Sequence, residues 1–232
     1  MDIRGKVVLV SGANRGLGKA FVTALLAAGA AKVYAGARDP RSVDIPGSTP
    51  IALDITDAAS VEHAAEQCAD VSVVINNAGF LKYGSLLAED SVENLQQHFD
   101  VNTFGTLRLS RAFAPILAKQ GGGALINILS VLSWLSPPGA GGYSTSKSAQ
   151  WGLTNGLRGE LREQNTLVIG VHPAYIDTDM VADVQAPKST PQEVVTLTLQ
   201  ALGEDREEVL ITDMTHAVKA SLSTDSPVYL NR

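Results

Sequence analysis

Val7-Val8-Leu9-Val10-Ser11-Gly12-Ala13-Asn14-Arg15-Gly16-Leu17-Gly18 runs from an apolar, β-branched segment through three glycines into a helical pattern. Strand, tight turn and helix in that order form an anion site by simple physics. Glycines permit the turn and a close backbone approach, and the free N–H groups and dipole at the helix N-terminus face negative charge. The spacing is Gly-x-x-x-Gly-x-Gly, which departs from the Gly-x-Gly-x-x-Gly of the commoner dinucleotide fingerprint. On this segment alone, a plain strand-to-helix turn using glycine for its backbone freedom stands beside the phosphate reading.

Outward from this turn, short apolar runs alternate with helical patterns. The runs are Lys6–Val10, Lys32–Ala35, Pro50–Leu53, Ser72–Ile75, Ala124–Leu129, Leu167–Val171 and Glu208–Ile211. Most are continuously apolar, which suits strands covered on both faces of a parallel sheet. Between them, apolar residues recur at helical spacing over Leu17–Ala28, Ala58–Ala69, Val92–Lys119, Tyr143–Glu163 and Pro191–Leu202. Pro40–Pro50 is rich in turn formers and reads as mostly loop, as does Asp183–Pro191. The expected fold is α/β: a doubly wound Rossmann fold, one domain over residues 1–232, with about seven parallel strands and helices on both faces.

Composition narrows the function classes. Hydrophobic residues make up 45% and charged residues only 18%, which supplies a core and excludes a disordered chain. A net charge of −6 without a Lys/Arg cluster argues against nucleic acid or an anionic membrane as the main partner. Cys68 is the only cysteine, so no internal disulfide forms. No signal-like apolar segment follows Met1, and the stretch Gly123–Leu135 is too short to span a bilayer. A soluble, cytoplasmic protein is expected. His63, His98, His172 and His216 lack partners at ligand spacing, so no metal site is expected, and a structural role is assigned to His172.

Chemistry concentrates further along. Tyr143 and Lys147 stand four residues apart, on one helix face within side-chain reach. Ser130 lies 13 positions before Tyr143 at the C-terminal end of a strand, the edge where ligands bind in open α/β sheets. A phenol of pKa ~10 exchanges protons poorly at neutral pH, and a nearby ammonium lowers it.

Taken in order, the glycine turn, Asn76-Asn77-Ala78-Gly79, Asn102, Ser130, Tyr143-x-x-x-Lys147 and Pro173-Ala174-Tyr175-Ile176-Asp177-Thr178 resemble the short-chain dehydrogenase/reductase family, in its short single-domain branch. The matches span about residues 5 to 180, roughly three-quarters of the chain. The resemblance implies Tyr143 as general acid/base, Lys147 lowering its pKa and bonding the nicotinamide ribose, and Ser130 bonding the substrate oxygen. It also implies that Asn102 positions a water linking the lysine to solvent. Cofactor contacts are implied at Gly12, Asn14, Arg15, Gly16, Leu17 and Gly18, at Arg38, Asp54 and Ile55, and at Asn77, Ala78 and Gly79. Tyr143, Lys147, Pro173, Ile176 and Thr178 complete the implied set.

Where the family's NAD enzymes carry a ribose-binding carboxylate at the end of the second strand, this chain has Ala37 followed by Arg38, with Arg15 facing it. Two guanidiniums suit a 2′-phosphate, so NADP(H) is expected, with Arg41 assisting. Asp54 matches the family's adenine-contacting acid, and its local sequence equally suits a turn or cap carboxylate. Asn76 and Asn77 equally suit turn backbone. Trp134, Leu135, Ala174, Tyr175, Met180 and Val181 line a mostly apolar substrate pocket or serve as packing; Ser133 and Ser136 read as loop. Ala174 stands where the family usually has glycine, and the C-terminal segment lacks the family's Gly-Gly ending. The expected activity is NADPH-dependent interconversion of a ketone or aldehyde and its alcohol. A non-catalytic NADP(H)-binding regulatory protein of the same fold is the alternative, and a same-fold epimerase or dehydratase is disfavoured by the arginine pair. The helices Val92–Lys119 and Gly142–Glu163 resemble the family's dimerising pair, so a homodimer or homotetramer is expected.

Overall fold

The computed structural model describes residues 1–230. Seven strands form one parallel sheet: β1 Val7–Ser11, β2 Lys32–Ala37, β3 Thr49–Ala52, β4 Val73–Asn76, β5 Gly123–Ile128, β6 Thr166–His172 and β7 Glu208–Leu210. Their order is β3-β2-β1-β4-β5-β6-β7, the doubly wound Rossmann arrangement. Connection direction reverses between β1 and β4, so the loops after these two strands diverge and open a crevice at the sheet's carboxyl edge.

The strands alternate between two apolar layers. Val8, Val10, Val33, Ile75 and Ile126 pack under α1 (Gly16–Ala27) and α6 (Pro191–Gly203). Leu9, Tyr34, Val74, Leu125 and Val168 pack under α2 (Ala58–Gln67), α4 (Thr106–Lys119) and α5 (Gly141–Glu160). Both faces are therefore dry, which accounts for the continuous apolar runs. The β2–β3 link carries one 3₁₀ turn, Pro40–Ser42, and is otherwise loop.

Two departures from the sequence reading bear on the site. The expected helix Val92–Lys119 is α3 (Ser91–His98), a π-helical segment Phe99–Gly105 and α4 in succession. The wide π turn is held from outside: Asn102 bonds the Phe80 backbone, and Thr103 Oγ1 donates to the Ser146 carbonyl at 3.0 Å. Helical periodicity is blind to such contacts. The second departure is α7 (Asp213–Ser221), capped by Thr212 and followed by a 3₁₀ turn, Val228–Leu230; both return over the sheet edge.

Candidate active site

The glycine turn is built by locking β1 to β4. Ser11 Oγ accepts from the backbone N–H of Asn77 (3.0 Å) and Ala78 (3.1 Å). The Asn77 amide donates back to the carbonyls of Ser11 (2.9 Å) and Gly12 (3.1 Å). Gly12 and Gly16 adopt φ of +63° and +52°, where a side chain strains the backbone. A Cβ on Gly18 would lie 2.1 Å from the Gly12 carbonyl oxygen, so only glycine lets α1 start this close to the turn. Arg15 N-caps α1 without a side-chain bond, leaving the N–H groups of the first turn open toward the crevice. A cradle of close backbone, free donors and no side chains fits a diphosphate.

From the cradle a cleft of about 1050 Å³ runs along the sheet edge. One end is walled by Ala37, Arg38, Asp39, Ser42, Leu53, Asp54, Ile55 and Thr56. Ala37 leaves the second-strand position without a carboxylate, and the neighbouring Asp39 is occupied by Arg41, whose Nε and Nη2 donate to it at 2.9 and 3.1 Å. Arg41 does not line the cleft in this arrangement, but its side chain is exposed, so its pair with Asp39 is easily exchanged. Arg15 reaches Asp179 at 3.5 Å; both side chains are largely exposed, so this pair is easily exchanged. Asp54 accepts from the Thr56 hydroxyl (2.7 Å) and N–H (2.9 Å). Burial works to raise its carboxyl, but the Thr56 bonds, with Arg38 and Arg108 nearby, hold it below the ordinary value. Asp54 is therefore a turn carboxylate that also faces the cleft.

At the middle of the cleft Ser130, Tyr143 and Lys147 share one wall. Ser130 follows β5 and its hydroxyl caps the next turn, accepting from Leu132 N–H at 3.0 Å. Burial pushes the Tyr143 phenol up to about 12; the nearby Ser130 hydroxyl works the other way, and Tyr83 adds to the rise. Lys147 is 4% exposed, and burial lowers its ammonium to about 7. Its Nζ donates to the Ile128 carbonyl (2.8 Å) and Gln150 Oε1 (2.7 Å), and lies 5.6 Å from the centre of the Tyr143 ring.

Asn102 stands behind this wall, fully buried. Its Oδ1 accepts from Phe80 N–H (2.8 Å), and its Nδ2 donates to the Phe80 carbonyl and Ser146 Oγ, both at 2.9 Å. His98 does the same for the next stretch of loop: it accepts from Lys82 N–H (3.1 Å), so Nδ1 carries the proton and donates to the Asn94 carbonyl (2.8 Å). Its ring lies edge-on to Tyr143, 6.1 Å between centres.

The far end of the cleft is mostly apolar. Leu135, Ala174, Tyr175, Met180 and Val181 line it. Trp134 does not: it is buried behind the wall, stacked on His172 with ring centres 4.1 Å apart and set edge-on to Trp151, because the tight turn after Ser130 rotates it into the interior. Ser136, read from sequence as loop, also borders the cleft. The sequence reading missed Tyr83 from the loop after β4, Met214 from α7, and Val228 and Tyr229 from the C-terminal turn. A Thr212–Asp213 start with Lys219 near its end is a local helix signal that the sequence reading passed over; nothing local marks where α7 docks. Asn76 is not turn backbone but a buried side chain, donating to Ser110 Oγ (3.2 Å) and Asn127 Oδ1 (2.8 Å).

A glycine cradle opening a doubly wound sheet, with Ser, Tyr and Lys on the adjoining wall, is the layout of a dinucleotide-dependent oxidoreductase. The short chain dehydrogenase profile matches residues 6–189, and the chain belongs to that family. It is 34% identical over 199 residues to the short chain dehydrogenase pigC of Monascus ruber, covering 78% of this chain and 65% of that protein. This chain thus spans somewhat under two-thirds of that relative. It is 32% identical over 227 residues to the 1-deoxy-11-beta-hydroxypentalenate dehydrogenase of Streptomyces exfoliatus, covering 89% of this chain and 82% of that one. Among solved structures, a short chain dehydrogenase from Burkholderia cenocepacia J2315 in complex with NADP superposes with a TM-score of 0.93 at 39% identity, covering 97% of this chain and 95% of that one.

Proposed function

We propose that this chain is a single-domain, NADP(H)-dependent oxidoreductase that interconverts a ketone or aldehyde and its alcohol. The observation that carries the reading is the continuity of one cleft from the glycine cradle to the wall bearing Ser130, Tyr143 and Lys147. The dinucleotide, when bound, supplies or accepts the hydride. The residues do the rest. The first turn of α1 and the turn glycines bind the diphosphate, with Asn14, Leu17, Asn77, Ala78, Gly79, Ile55, Pro173, Ile176 and Thr178 along the cleft. Arg38 and Arg15 favour a 2′-phosphate, and Ala37 puts no carboxylate at the end of the second strand.

Ser130 and Tyr143 hold the carbonyl oxygen between two hydroxyls. In reduction the Tyr143 phenol gives its proton to that oxygen; in oxidation the phenolate takes it back. Lys147, when protonated, stabilises that phenolate from the next helical turn. The apolar far end, with Tyr83, Met180, Met214 and Tyr229 half-exposed at its mouth, supports an uncharged, largely apolar substrate. We place the protein in the cytoplasm as a homodimer or homotetramer acting on small molecules, without nucleic acid or membrane as partner. No helix among the described residues is long and apolar enough to cross a membrane, and α3 to α4 leave Val92, Phe104 and Leu107 exposed on an outer face suited to self-association.

Tyr143→Phe tests the reading. It is expected to lower kcat for ketone reduction at least ~1000-fold while changing the NADPH Kd less than about threefold, since it removes only the proton donor. Turnover followed at the reduced-nicotinamide absorbance band and binding by fluorescence titration decide it. Retained turnover overturns the catalytic assignment; binding without turnover of any carbonyl by the unaltered protein favours the regulatory alternative.

A further inference from the structure

One buried polar side chain behind the Tyr143 wall has no part in the proposed chemistry. Gln150 is 1% exposed, one helical turn beyond Lys147 on the face of α5 that packs inward. An amide there costs free energy unless both its ends are bonded. Both are. Gln150 Oε1 accepts from Lys147 Nζ at 2.7 Å, and Nε2 donates to Thr106 Oγ1 at 2.8 Å. Thr106 Oγ1 in turn donates to the Asn102 backbone carbonyl at 2.9 Å.

The direction of this chain is forced. An ammonium only donates, so the amide must turn its oxygen to Lys147 and its nitrogen to Thr106, whose proton then has one outlet. Around it the network closes on itself. Ser110 Oγ donates to the Thr106 carbonyl (2.7 Å), Asn76 bridges Ser110 and Asn127, and Asn127 Nδ2 donates to Thr154 Oγ1 (2.9 Å). Thr154 Oγ1 returns to the Gln150 carbonyl at 2.7 Å. Such a satisfied network holds its members in one geometry.

Lys147 has no carboxylate partner among the described residues. From α5 it faces Tyr143; from the end of β5, the Ser130 hydroxyl and the Ile128 carbonyl; from β6, His172, kept neutral by burial. In the π segment, Asp100 is committed to Arg108 at 2.8 Å. Tyr83 and His98 face Tyr143 rather than the ammonium. The geometry points to Gln150 as a positioning residue that holds the Lys147 ammonium at the cleft wall and ties it, through Thr106, to the Asn102 carbonyl in the π segment. This deepens the proposed oxidoreductase reading, on which it rests, because the charge it supports is the one beside Tyr143.

Gln150→Met keeps the length of the side chain and removes both polar ends. The test follows the ¹³Cε shift of Lys147 through pH in lysine-labelled protein, assigned with Lys147→Arg. Losing a charge-assisted acceptor is expected to lower the Lys147 midpoint by about one pH unit, a tenfold change. A midpoint within ~0.3 unit of the unaltered protein's, in a folded variant, overturns the assignment whatever happens to kcat. If Gln150→Met does not fold, Thr106→Val serves: it leaves Gln150 in place, cuts the second link, and is expected to lower the midpoint about threefold in proton affinity; an unmoved midpoint again overturns the proposal. Turnover retained by Tyr143→Phe would sink the oxidoreductase mechanism while leaving the Lys147 titration intact, so the two failures are separable.

Discussion

Tyr143 and Lys147 are shifted in opposite directions by one cause. Burial favours the neutral member of each acid–base pair, raising the phenol to about 12 and lowering the ammonium to about 7. Alcohol oxidation requires phenolate and so should rise with pH across the neutral and alkaline range, whereas carbonyl reduction requires phenol and should stay flat there. Measuring kcat/KM in both directions between pH 6 and 10 checks this; matching profiles would contradict it. At the turn, Gly18→Ala drives a methyl against the Gly12 carbonyl and the Asn77 amide, 2.1 and 2.7 Å from its ideal position. Overpacking of backbone costs ~1–3 kcal/mol, and the expected result is a NADPH Kd raised at least tenfold by fluorescence titration, with a lower Tm. Unchanged affinity would remove the cradle from the binding site. These residues were legible because their chemistry depends on type and local spacing. Gln150 was not: on a helix it reads as one polar position among others, and its partner Thr106 lies 44 residues away.

His172 belongs to the scale of elements, where the end of β6 meets β7 and the turn after β5. It stacks on Trp134, its Nδ1 lies 3.2 Å from the Ser130 carbonyl, and its Nε2 is 3.5 Å from Glu208. That carboxylate is already paired with Lys219. Burial holds the imidazole down to about 3 against an ordinary 6.5, with the Ser130 carbonyl opposing and Lys219, Arg158 and Lys147 assisting. Between those values the unfolded chain binds a proton that the fold refuses. Stability is then fully present above about pH 6.5 and is lost as pH falls toward 3. Urea denaturation at pH 7.5 and 4.5 should show a loss on the order of 2 kcal/mol from this group, and His172→Phe, which keeps the stack, should flatten the acid slope. An unaltered slope would show that other groups govern acid sensitivity. Element type was readable throughout the sheet and main helices because apolar periodicity is local. The π segment was not, since tertiary bonds from Asn102 and Thr103 hold it open.

For the whole molecule, the net charge of −6 says little about the cofactor; the two arginines of the proposal, Arg15 and Arg38, are local features of the cleft wall. The exposed Val92, Phe104 and Leu107 across α3 to α4 lead to an assembly prediction. Phe104→Glu places a charge in the proposed self-association face and should shift the protein toward monomer, raising the dimer Kd at least tenfold in sedimentation or light scattering. An unchanged mass at low concentration would move the interface elsewhere. The sequence by itself determined the parallel sheet, the glycine turn and the Ser130, Tyr143 and Lys147 set. Continuous apolar strands, backbone freedom at glycine and a four-residue helical repeat are all properties of neighbours along the chain. Only the tertiary structure decided that Met214 and Tyr229 border the cleft, that Trp134 turns away from it, and that Gln150 ties Lys147 to Thr106. Each depends on which distant surfaces burial brings together, and no local pattern encodes that.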